Sequence, residues 1–104
     1  MKATRQDKGA WYFFIQPSTL LPAATRDWYF DSDDQKYADE NYFLTREAVR
    51  ECAEALAPIA SRLATLAGIA KDPAIGITER SAAESEIREL KCKVENTIAD
   101  AKKA

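Results

Sequence analysis

The sequence predicts an α+β domain in which a small antiparallel β-sheet of two or three strands is followed by an antiparallel helical hairpin. Three observations lead there. All ten aromatic residues lie between Trp11 and Phe43, interleaved with Pro, Ser, Asn and Asp, a mixture that favours strands and turns. From Leu44 onward the chain is free of aromatics and rich in alanine, with apolar residues at helical spacing. A chain of 104 residues gives one domain, with residues 1–44 as the β region and 45–104 as the hairpin.

The first strand is expected at Ala10 to Gln16, bounded by Gly9 and Pro17, with Pro22 in the connection that follows. Arg26 to Asp31 is the second candidate. Asp31 to Lys36 reads as a turn, and a short third strand through Tyr42 to Leu44 completes a meander. A sheet this small needs helices packed on it.

Thr45 is placed to cap the first helix, with Glu47 complementing its positive end. Val49, Cys52, Leu56, Ile59, Leu63, Leu66 and Ala70 then recur at 3-4 spacing and line one face. Pro58 removes one backbone donor, yet the stripe stays in phase beyond it, which predicts a kinked single helix. Gly68 to Gly76 forms the connection. The second helix begins near Thr78 or Ser81, where Ser81 and Glu84 fit a capping box. Its apolar line is Ala83, Ile87, Leu90, Val94, Thr97 or Ile98, and Ala101, with opposite charges at i,i+4 in Glu84 and Arg88, Glu89 and Lys93, and Lys91 and Glu95. Lys102 and Lys103 read as a frayed, solvated end.

Ala53, Ala57, Ala60, Ala64 and Ala67 make the apolar surface of the first helix broader than one partner helix covers. Either the sheet of the same chain or a second copy would take up the remainder.

Composition excludes several chemistries. A net charge of −2 removes the broad electrostatic reason to expect nucleic-acid or anionic-lipid binding. There is no histidine, so Ser-His and Cys-His dyads cannot form within the chain. Cys52 and Cys92 lack metal-ligand spacing and are expected as free thiols. Three glycines are too scattered for a phosphate-binding loop. Asp31 to Tyr42 starts like a calcium loop, but Lys36 stands where Gly is required and Tyr42 where Glu is required. No cofactor, no metal and no enzymatic activity are expected; a carboxylate hydrolase using Mg²⁺ is the least supported alternative. The longest unbroken apolar run, Ala10 to Ile15, is far below the roughly 20 residues of a membrane span, so a cytoplasmic protein is expected.

One segment stands apart. Between Asp27 and Phe43, six acids (Asp27, Asp31, Asp33, Asp34, Asp39 and Glu40) face one Lys36 and alternate with Trp28, Tyr29, Phe30, Tyr37, Tyr42 and Phe43. Strand alternation would turn the aromatics toward the helices and the carboxylates to solvent. The functional alternative is a recognition surface for a basic partner, formed by Trp28, Asp31, Asp33, Asp34, Tyr37, Asp39 and Glu40.

The order Trp28-Tyr-Phe-Asp31, an acidic stretch, Glu40-Asn-Tyr-Phe43 and Thr45-Arg-Glu-Ala48 opening an Ala-rich helix resembles a pattern in small uncharacterised phage and prophage proteins. In size and layout the chain is similar to some anti-CRISPR proteins. The resemblance covers about a quarter of the chain, and Glu40 replaces a glycine frequent in that pattern. It implies a non-enzymatic protein that binds a host protein or nucleoprotein complex and inhibits nucleic-acid handling or defence. A self-associating structural protein, dimerising through its helices, is the alternative.

Overall fold

The computed structural model describes residues 2–104. Strands β1 (Trp11–Ile15) and β2 (Pro22–Arg26) precede helices α1 (Asp31–Ala38), α2 (Arg46–Lys71) and α3 (Ile77–Asp100). The architecture is α+β with a helical hairpin.

β1 and β2 form a two-stranded antiparallel sheet in which Trp11 pairs with Arg26, Phe13 with Ala24 and Ile15 with Pro22. Their connection closes on itself, with Gln16 N–H donating to Leu21 at 2.9 Å and Leu20 N–H to Gln16 at 2.8 Å. Leu20 adopts φ 57° there. This left-handed conformation disfavours a side chain, and burial of Leu20 in the core compensates. In place of a third strand, Phe43 forms a single bridge with Phe13 through bonds of 2.7 and 2.8 Å.

The second strand lies earlier than the aromatic content indicates. It ends at Arg26, where the expected strand would begin. Asp31 to Lys36 is likewise no turn, but most of α1. Acidic residues suit a first helical turn electrostatically, and Asp33 accepts from the Phe30 N–H at 3.2 Å, holding the helix entry.

The two faces of β1 have different partners. Ile15, with Phe13 beside it, joins Phe43, Val49, Cys52, Leu56, Val94 and Ile98 in the core against the hairpin. Tyr12 points to the opposite face, toward Tyr42 and α1.

Thr45 Oγ1 accepts from Ala48 N–H at 3.1 Å, the expected cap. α2 then runs unbroken through Pro58. Val49, Cys52, Leu56 and Leu66 are buried on its inner face, with Ile59 and Leu63 partly so. α3 starts directly after Gly76, so Ser81 lies inside the helix and is no cap. Among the described residues the i,i+4 pairs of α3 form no ion pair within 4.0 Å. Instead Arg62 reaches across the hairpin to Glu86, with Nε to Oε2 at 2.6 Å. Arg88 donates to Ser85 Oγ.

The C-terminal residues are not frayed. Lys103 is 4% exposed. Its ammonium donates to the Ile98 carbonyl and lies 4.4 Å from the centre of the Phe43 ring, while its own carbonyl accepts from Leu44 N–H at 2.6 Å. Both cysteines are free thiols, Cys52 in the core and Cys92 at the surface.

The hairpin projects beyond the sheet, giving extents of 51 × 25 × 18 Å and a radius of gyration of 15.8 Å, against about 13 Å for a compact chain of this length. α2 is also long and apolar enough to cross a membrane. Counting unbroken apolar runs misses this, because Ser61, Arg62 and Thr65 interrupt the sequence without making the helix polar.

Candidate functional site

The segment between β2 and α1 is built on two buried carboxylates. Asp27 is fully buried. Arg5 meets it with two bonds, Nε to Oδ2 at 3.0 Å and Nη2 to Oδ1 at 3.1 Å. The Tyr42 hydroxyl donates to Oδ2 at 2.7 Å and the Tyr29 N–H to Oδ1 at 3.1 Å. Burial pushes the Asp27 carboxyl up, but Arg5, Tyr42 and the Tyr29 amide outweigh it and hold the group below the usual carboxylate range.

Asp33 is the second, at 4% exposure. Its Oδ1 accepts from the Tyr12 hydroxyl at 2.6 Å. Its Oδ2 accepts from the amides of Trp28 at 3.0 Å and Phe30 at 3.2 Å. Tyr12 and Tyr42 stack between the carboxylates with ring centres 4.2 Å apart. Burial, reinforced by Asp33 beside Tyr12 and Asp27 beside Tyr42, pushes both phenols above their ordinary range.

The outcome is a pinned backbone with its side chains outward. Trp28, Tyr29 and Phe30 are exposed to 42, 46 and 65%, although each of their amides is held by a buried carboxylate. Tyr29 adopts φ 60°, a conformation costing an L residue about 1–2 kcal/mol. It is retained because the Tyr29 hydroxyl donates to the Gln6 carbonyl at 2.9 Å and Arg5 stacks 4.5 Å from the ring centre. Gly9 lies under the Trp28 ring, where an added Cβ would stand 3.3 Å from the indole. Arg26 extends the ridge, with its guanidinium 5.2 Å from the Trp11 ring centre and 6.0 Å from that of Trp28.

The expected acidic surface is only partly assembled. Asp31 is exposed beside the ridge. Asp33 is buried and supports the surface from beneath. Asp34 is half exposed but pairs with Arg5 at 2.8 Å. Tyr37 is half-buried, donates to the Ala3 carbonyl at 2.9 Å and meets Tyr42 edge-on. Asp39 and Glu40 follow the far end of α1, about 12 Å along the helix from Asp31. Asp39 accepts from Gln35 at 2.9 Å, and Glu40 occupies a turn at φ 61°.

Tyr29, Phe30, Trp11 and Arg26 belong to the exposed surface, yet sequence reasoning places none of them among the site residues. Phe30 followed three residues later by Asp33 is a weak signal for a helix entry. Nothing local marks the pairing of Arg5 with Asp27.

A cavity of about 500 Å³ is separate from the ridge and is floored by Ile15, Leu20, Leu63, Val94 and Ile98. Asn41 at its edge is already engaged, accepting from Ile15 N–H at 2.7 Å and donating to Ile15 O at 2.8 Å. Among the described residues no cluster of Cys, Asp or Glu has the arrangement of a metal site. Comparison with known proteins finds no matching family model, no matching curated protein and no matching solved structure.

Proposed function

We propose that this is a non-enzymatic binding protein that docks on a partner protein through Trp28, Tyr29 and Phe30. The observation carrying this reading is the conjunction of large exposed rings with a backbone fixed from beneath by Asp27 and Asp33. Aromatic side chains dominate interface energetics. A backbone already ordered before contact loses less entropy on binding. The strain at Tyr29 fits the same picture, since such conformations persist where surrounding structure enforces them.

The flanks, together with the resemblance of this segment to small phage and prophage proteins and of the whole layout to some anti-CRISPR proteins, support a partner class. Asp31, exposed beside the ridge, would steer it toward a basic surface. A bacterial complex that handles nucleic acid has such a surface, and occupying it would block its ligand.

Affinity capture from a bacterial lysate, with the wild type beside a Trp28→Ser/Phe30→Ser variant, tests the reading. The wild type is expected to retain a nucleic-acid-binding complex and to lower that complex's affinity for its nucleic acid, while the folded variant does neither. Equal capture by both proteins would show that the ridge is not the contact.

A further inference from the structure

A second surface lies at the far side of the molecule. Arg50, Glu54, Ala57, Ser61, Ala64, Gly68 and Lys71 are all exposed on α2, and their 4-3-4-3-4-3 spacing puts them on one continuous face. The inner stripe of α2 packs on α3, and the strands lie beside Arg46, Val49 and Arg50 of the helix. Beyond these residues the outward face stays exposed among the described residues. From Ala55 to Ala70 the only charge on α2 is Arg62, which lies off this face and is neutralised by Glu86. The stretch of α2 apolar enough to cross a membrane has only 17% of its residues buried.

The charges at the two ends of the face identify the occupant. In a parallel pairing of two copies, Glu54 would meet Glu54 and Lys71 would meet Lys71. An antiparallel pairing centred between Ser61 and Ala64 sets Glu54 opposite Lys71, Ala57 opposite Gly68 and Ser61 opposite Ala64. Small residues at the centre permit the short end of the 8–10 Å range of helix separation. The same alignment carries the hairpin tip of one copy to the N-terminal end of α2 in the other. There a notch of about 310 Å³ is formed by Phe13, Ala24 and Val49 between Arg46 and Arg50. The tip brings Ile77, the most exposed large apolar residue at 75%, and the carboxylate of Asp72.

We infer that two copies of the chain associate through this face of α2 in an antiparallel, two-fold arrangement, each hairpin tip seated beside Arg46 and Arg50 of the other. A strip about 33 Å long and about 10 Å wide, taken on both copies with the notch added, buries on the order of 1,000 Å². That is the lower end for a specific interface, so the dimer is reversible.

Sedimentation of the full chain from micromolar to millimolar concentration tests this, with circular dichroism confirming that every variant folds. The wild type is expected to dimerise. Glu54→Lys, which sets two lysines opposite each other twice per dimer, is expected to weaken association about tenfold or more. Glu54→Lys combined with Lys71→Glu is expected to restore it. Ser61→Glu, at the centre, is expected to leave a monomer. A wild type that stays monomeric throughout overturns the inference. So does a dimer indifferent to Glu54→Lys and Ser61→Glu, or a monomer that instead binds phosphatidylcholine vesicles through α2.

Discussion

The Tyr12 hydroxyl donates to the Asp33 carboxylate at 2.6 Å, joining β1 to α1 across 21 residues of chain. The other oxygen of that carboxylate holds the amides of Trp28 and Phe30. One buried group thus couples the sheet, the entry to α1 and the ridge. Removing one partner of such a bond leaves a buried polar atom unsatisfied. Tyr12→Phe is expected to cost about 1–3 kcal/mol, and Asp33→Ala, which strands three donors, about 3 kcal/mol or more. Urea denaturation monitored by circular dichroism measures both.

Acid stability depends on Asp27. Its folded pKa lies below the unfolded value, because Arg5, Tyr42 and the Tyr29 amide outweigh burial. The group therefore contributes stability that is present above the unfolded pKa of about 3.9 and is lost as pH falls through the folded value. Arg5→Met removes the charged partner, and its acid unfolding midpoint is expected at higher pH than that of the wild type. At the alkaline end the signs reverse. Tyr12 and Tyr42 have raised pKa values, so their contribution is complete below about pH 10 and falls as pH rises toward the folded values. Denaturant midpoints measured across pH check both limbs.

The hairpin was the legible part of the fold. Thr45 followed by Val49, Cys52, Leu56 and Leu66 states a cap and a buried stripe within one local pattern, and the structure has both. The β region is specified at longer range. Pro22–Arg26 has neither aromatic nor branched aliphatic residues and becomes a strand because β1 lies beside it. The aromatics of Trp28 to Phe30 favour a strand by propensity, but the carboxylates of Asp27 and Asp33 capture their amides and divert the chain into α1. The candidate surface was legible as a segment and not as a geometry. Alternation along a strand would have buried the rings and exposed the acids, whereas Asp27 and Asp33 are inside and Trp28, Tyr29 and Phe30 outside.

Lys103 gives a third prediction. Burial lowers the pKa of its amine, yet the ammonium caps the end of α3 at Ile98 and lies over Phe43, an arrangement favoured at helix C-termini and ring faces. Deleting residues 102–104 also leaves the Leu44 amide without the Lys103 carbonyl. This truncation is expected to cost about 1–3 kcal/mol, whereas Lys103→Met, which keeps an apolar stem in the site, costs less. Thermal melts of the two variants separate the packing contribution from that of the charge.

Pro58 is exposed within α2 and lacks the N–H that would bond the Glu54 carbonyl. Pro58→Ala supplies it. The substitution is expected to raise stability by about 1–3 kcal/mol, readable as a higher denaturant midpoint with unchanged slope.

Docking through Trp28, Tyr29 and Phe30 as proposed requires the ridge to be rigid before any partner arrives. Amide hydrogen exchange of the free protein, compared between the wild type and Asp33→Asn, tests this most directly. Slow exchange is expected at Trp28, Tyr29 and Phe30 in the wild type despite their exposed rings. In Asp33→Asn, protection should fall at Trp28 and Phe30 while the amides of β1 and α2 stay protected. Exchange at Trp28 and Phe30 as fast as in an unstructured peptide, already in the wild type, would contradict it.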